Sequence, residues 1–258
     1  SVLYHDIHET LGRNHYQGHP SMSDEELAAS DIMRLGDVLA NREEYQEADE
    51  WIGSVINQLD QTRAYSVREF LLLLGRELAE IAHEDGIITS AFKSRIPVFC
   101  PDIASTELAV GLARARFEKK AQFTFDTTQD TIEMMQIAQK PRNSAVLTLG
   151  STHGQNMLHV AEIASYITRT NPRGHKYAIS ITTDAVPLDC RTPSYSGNHT
   201  NSFGKLAKGA TTAYVPCDPS IALPMIITAL SQTAAKFMKG RKRPNFSFSG
   251  KDMSIDVP

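Results

Sequence analysis

A chain of 258 residues with 41% apolar and 22% charged side chains is long enough to bury a sizeable core as one domain, and its composition is that of a globular protein. A formal net charge of -4 argues against nucleic acid as the main partner, because neutralising phosphates needs clustered Lys and Arg. The three cysteines, Cys100, Cys190 and Cys217, form no CxxC pair, which excludes a disulfide framework or a structural zinc site and fits a reducing, cytoplasmic setting.

The first residue is not Met, and "SVLYHDIHETLG" reads like the middle of an element, so a chain lacking its natural beginning is expected. No basic-then-apolar leader and no run approaching eighteen apolar residues are seen, so neither a secretory signal nor a membrane span is expected. His5, His8, His15 and His19 show no recognisable ligand spacing, and no metal site is expected. Residues 24–95 read as helical. Ser23 precedes an acidic first turn in "SDEELAASDIMRLGDVLA", and the 3.6 period continues through "EEYQEADEWIGSVINQL" and "SVREFLLLLGRELAEIA". Trp51 and the Leu71–Leu74 run are expected in the core.

From residue 96 the texture changes. Strands are expected at "IPVFC" (96–100), "QFTFD" (122–126), "SAVLTLG" (144–150), "YAISITT" (177–183) and "TAYVPCD" (212–218), alternating with helix-length segments. That alternation predicts an α/β fold, a Rossmann-like parallel sheet with helices on both faces, over about 96–240, followed by a basic, polar tail at 241–258 that includes part of "KFMKGRKRP". Ligands of such sheets sit beyond the carboxyl ends of the strands, a rule that singles out Asp102, Gly150-Ser151-Thr152, Thr183-Asp184 and Asp218.

Each candidate carries a plainer alternative. The strand–turn–helix "LTLGSTHGQN" could cradle a phosphate on free backbone N–H groups or be a structural turn; it matches neither common Gly-rich fingerprint. Asp218 in "CDPS" could take ribose hydroxyls or cap the helix opened by Pro219. His153 and His159 lie six apart, not the four that a helical metal pair needs. Lys205, after Phe203-Gly204, is a nucleophile only if its amine loses a proton through desolvation or the nearby Lys208; otherwise it is a solvated lysine.

The order "SFGK", a strand ending in "CDPS", then an apolar helix resembles the deoxyhypusine synthase family. The likeness extends to "IMRLGDVLANREEYQEADEWI", "IPVFCPDIASTEL", "AVLTLGSTHGQN" and "YAISITTDA" in the family's order, so it covers nearly the whole chain. The resemblance implies an enzyme that uses NAD to oxidise and cleave spermidine. The 4-aminobutyl group is held as an imine on a lysine and passed to a lysine of translation initiation factor 5A, at sites between subunits of a tetramer. Position by position, Lys205 resembles the imine-forming lysine, and Phe203 an apolar wall where the family has Trp. Gly150, Ser151, Thr183, Asp184, Asp218 and Ser220 resemble the NAD-contacting positions.

Departures from the family are concentrated where a polycation would bind. Tyr4, His5, Ser105, Val110 and His199 stand where the family has acids, and Asn156 stands where it has a catalytic histidine. Asp189 is the only acid in "VPLDCRTPSYSG", and the family's first βα unit has no counterpart in the sequence. Ammonium groups need carboxylates to replace their hydration, and an amide does no acid–base work. The expectation is therefore a degenerate paralogue that requires a complementary paralogous subunit in a heterotetramer. A homospermidine-type aminobutyltransferase and a non-catalytic NAD-binding scaffold are the alternatives.

Overall fold

The computed structural model describes residues 2–150, 157–158, 167, 173–183, 206–249 and 252–258. The chain divides into two compact units, Ser1–Asp130 and Thr131–Pro258.

The first unit is mainly helical. Its helices are α1 (Val2–Thr10), α2 (Asp24–Ala29), α3 (Arg42–Gln58), α4 (Val67–Ile81), α5 (Ile87–Lys93) and α6 (Leu108–Lys119). A core of Tyr4, Ile7, Ile52, Ile56, Phe70, Leu71, Leu74 and Leu78 recurs at helical spacing, and Trp51 packs at its margin. Local capping explains where the helices begin. The Asn41 side chain accepts from Glu43 N at 2.8 Å to open α3, and Ser66 Oγ accepts from Glu69 N at 3.0 Å to open α4. Asp130 adds a second cap, accepting from Val67 N and Arg68 N at 2.8 Å each. Beside it, Tyr65 stacks on Phe123 at 5.1 Å, and Phe125 meets Phe123 edge-on at 4.8 Å.

Two local expectations are corrected here. The run 24–95 is not helical throughout: within it β2 (Ile32–Leu35) and β3 (Val38–Asn41) pair antiparallel, and β1 (Tyr16–Gln17), which precedes the run, completes a sheet in the order β1-β3-β2. Gly36-Asp37 makes the two-residue turn between β2 and β3, a hairpin sequence within what looks like a helical repeat. The segment 96–100 is not a strand. Pro97 and Pro101 remove two backbone donors that a ladder would need. The first unit's parallel pairing is instead β4 (Ala64–Tyr65) with β5 (Thr124–Phe125).

The second unit carries α7 (Thr127–Gln139) from residue 131 onward and a parallel sheet in the order β6-β7-β8. Its strands are β6 (Ala145–Leu149), β7 (His175–Thr182) and β8 (Leu206–Pro216), followed by α8 (Pro219–Met238). On one face Val146 pairs with Ala178 and Thr148 with Ser180, all buried; on the other, Leu147, Leu149, Tyr177 and Ile179 are exposed. α8 has no buried residue, and by length and composition alone it could cross a membrane, as could the core helix of an α/β protein. The 241–258 stretch is not simply a tail. β9 (Asn245–Ser249) and β10 (Asp252–Asp256) pair antiparallel, Phe248 opposite Met253 and Phe246 opposite Ile255, with Met253 and Ile255 buried.

Candidate functional site

Register fixes the site's frame. Leu149 pairs with Ile181 and Thr182 with Pro216, so the three parallel strands end together. Gly150 and Thr183 follow those ends directly and Asp218 follows after Cys217, so the three share one edge of the sheet. Gly150 has φ 71°, open space where a side chain would stand, and an N–H donated to Ile181 O at 2.9 Å. A backbone that turns in the left-handed region without a side chain can be approached closely by a ligand. Asp218 acts as a cap: its carboxylate accepts from Ser220 N at 2.8 Å at the start of α8. The hydroxyl and N–H of Ser220 hold the Asp218 carboxyl below its ordinary value. Of the two readings of "CDPS", capping is the contact present.

Ser151, Asn156, Asp184, His199, Phe203 and Lys205 lie outside the described residues. Leu206, the residue after Lys205, pairs with His175 at the amino ends of β8 and β7. Between that pair and Tyr177–Thr211 the register shifts, so β8 spends five residues where β7 spends two. Seven steps along β7 at about 3.3 Å each put Leu206 more than about 20 Å from the Asp218 edge. The sheet thus gathers Gly150, Thr183 and Asp218 at one edge and holds Leu206 at its opposite margin. Gly174 sits against this point, where an added side chain would collide with the Leu206–Ala207 backbone.

Positions that depart from the family's acids are occupied differently in the first unit. Tyr4 is buried and donates to Asp49 at 2.7 Å and to the Tyr45 carbonyl at 3.0 Å, a core role. Burial raises the Asp49 carboxyl above its usual range, against the lowering effect of the Tyr4 hydrogen bond. Ser105 is exposed and bonds to Asp102 Oδ2 at 2.5 Å, and Val110 is exposed as well. His5 joins His8, His15 and Tyr45 in one cluster. Burial, reinforced by His15 and Arg13, lowers His8 to about 4. A cavity of about 260 Å³ is lined by Asp49, Glu50, Gly53, Arg114, Ala115 and Glu118, with Arg114 bridging Glu50 at 2.7 Å and Glu118 at 2.9 Å. Neither feature was anticipated: each depends on α3 packing against α1 or α6, which spacing along the chain does not encode.

Comparison with known proteins places this frame. The family model for deoxyhypusine synthase matches residues 1–230. A "probable deoxyhypusine synthase 2" of Methanosarcina mazei is 33% identical over 257 residues, covering 96% of this chain and 71% of that one. Its counterpart in Archaeoglobus fulgidus is 30% identical over 228 residues, covering 88% and 74%. A solved structure from Entamoeba histolytica, described as a candidate deoxyhypusine synthase, superposes with a TM-score of 0.50 at 15% identity. It covers 73% of this chain and 56% of that one, and supports the α/β fold. On the family match over most of its length, the chain belongs to the deoxyhypusine synthase family.

Proposed function

We propose that this chain is a subunit of a NAD-dependent deoxyhypusine synthase that moves the 4-aminobutyl group of spermidine to a lysine of translation initiation factor 5A in the cytoplasm, completed by a paralogous subunit in a heterotetramer. One observation carries the reading: within a chain matched to the family over residues 1–230, Gly150, Thr183 and Asp218 line up at the carboxyl ends of three adjacent parallel strands. That edge suits a dinucleotide, with the Gly150 turn facing phosphate and the Asp218 carboxylate facing a ribose hydroxyl. Bound NAD would supply the hydride acceptor for amine oxidation and return the hydride at the end. Lys205 would attack the resulting imine carbon and displace the remainder of the polyamine as an amine. The substrate lysine would then displace Lys205 in turn. Phe203 would exclude water from that imine, Ser151 and Asp184 would extend the dinucleotide contact, and Asn156 and His199 would border the polyamine.

A partner is needed for two reasons. Tyr4, whose hydroxyl is spent on Asp49 and Tyr45, cannot stand in for an acid that clamps an ammonium group, and Asn156 cannot carry a proton. The test assays this chain, a family member with intact acids and histidine, and their mixture. Formation of deoxyhypusine by the mixture well above either component supports the reading; full activity of this chain alone refutes it.

A further inference from the structure

Side chains from α1, the loop after it and α3 converge on one small space in the first unit. His5 Nδ1 stands 3.1 Å from His15 Nε2, and both stand 3.0 Å from Tyr45 Oη. Behind the His15 ring, Nδ1 lies 2.8 Å from the Glu9 carboxylate. An ionised carboxylate only accepts, so Nδ1 carries the hydrogen, and in the neutral ring Nε2 turns a lone pair into the triangle.

Hydrogens then run short. His5 Nδ1 and Tyr45 can offer one each, and a protonated His5 nitrogen cannot accept from the phenol. Three contacts would need one hydrogen split between two acceptors and one lone pair facing two donors. If His5 Nδ1 is bare, two nitrogen lone pairs oppose each other at 3.1 Å. A single cation at the centre satisfies all three atoms together. A third imidazole adjoins the triangle: His8 is fully buried, its ring 4.4 Å from that of Tyr45 and 4.9 Å from that of His15, with Nε2 3.8 Å from the Glu44 carboxylate.

We propose that His5, His15 and Tyr45 bind a divalent transition ion of the zinc type, with Glu9 orienting His15. Among the described residues no three His, Cys, Asp or Glu side chains are placed for a metal, so the third donor is the phenol oxygen. Bonds of about 2.0–2.1 Å in a tetrahedral ion put donors about 3.3 Å apart, so the triangle opens by only a few tenths of an ångström. Two imidazoles and a phenol oxygen suit zinc or cobalt over magnesium or calcium. Water takes the fourth position, and the ion ties α1 and its following loop to α3.

The test uses the whole chain, dialysed against a chelator and titrated with Zn²⁺ and, separately, Co²⁺. The expected result is uptake of one equivalent, a raised Tm, and for cobalt the intense visible bands of a four-coordinate ion. His15→Gln abolishes uptake, Glu9→Gln weakens it by about 10–100-fold through loss of the orienting carboxylate, and His19→Gln, at an exposed histidine bonded to Ser21, leaves it unchanged. Absence of stoichiometric uptake, or uptake that persists without both His5 and His15, overturns the proposal. If His15→Gln does not fold, the cobalt spectrum of the unaltered protein and the Glu9→Gln titration decide: no four-coordinate bands, or no weakening, counts against it.

Discussion

At the residue scale, Gly174 makes the sharpest prediction. Its φ is 67°, and the backbone of Leu206 and Ala207 fills the place of a Cβ, so alanine meets both a disfavoured backbone conformation and a collision that no rotamer relieves. Gly174→Ala should cost about 2–4 kcal/mol in denaturant unfolding. It should also lower the yield of trapped imine in the reconstituted complex, since the strand displaced begins next to Lys205. His175, buried beside it with Nδ1 2.9 Å from Ser144 Oγ, has its pKa lowered by burial. A histidine whose folded pKa lies below the unfolded value of about 6.5 takes up its proton more readily in the unfolded chain, so stability falls as pH drops below that value and is flat above it. Melting temperature should therefore decline on acidification from pH 7 toward 5, less steeply in His175→Gln; an equal slope in the variant would assign the effect to other groups. Lys205 was legible as a candidate from "SFGK", but the place of its neighbour Leu206 at the amino end of β8 was not, because the register shift that sets it arises from pairing with β7.

At the element scale, the parallel strands were legible because short apolar runs alternate with helix-length segments, and β6, β7 and β8 fall on three of the runs expected. What failed was local. The turn Gly36-Asp37 lies in a stretch whose apolar spacing also fits a helix, and tertiary pairing decided for the hairpin. In 96–100 an apolar run was given no partner and has two prolines at its margins. The histidine cluster could not be read either, because His15 reaches His5 only after the chain reverses behind α1. Helix starts offer a direct check. Asp130 satisfies two backbone donors of α4 from 63 and 62 residues away, so Asp130→Ala leaves buried N–H groups unpaired. A loss of about 1–3 kcal/mol is expected in unfolding experiments; a change under a few tenths would show that other acceptors replace it. Asp218→Ala removes the cap of α8 and should lower the unfolding midpoint. It should also weaken NAD binding to the assembled complex, measured by cofactor fluorescence, whereas Asp218→Asn should retain most of the stability.

At the scale of the whole molecule, the family match accounts for the α/β frame, and the substitutions account for the proposed dependence on a partner. Leu147, Leu149, Tyr177 and Ile179 leave one sheet face apolar and exposed, and α8 has no buried residue. A chain with that much uncovered apolar surface is expected to self-associate when purified alone and to be better behaved when coexpressed with the proposed partner, which size-exclusion chromatography would show. The central claim is that an amine-capturing lysine is kept in a chain whose polycation clamps are gone. Borohydride reduction of the mixed complex during turnover with labelled spermidine, followed by peptide mapping, tests it most directly. A labelled aminobutyl group on Lys205 in the mixture, and none when this chain is incubated alone with spermidine and NAD, is the predicted result. Label on Lys205 at full yield without any partner, or none on Lys205 in an active mixture, would contradict it.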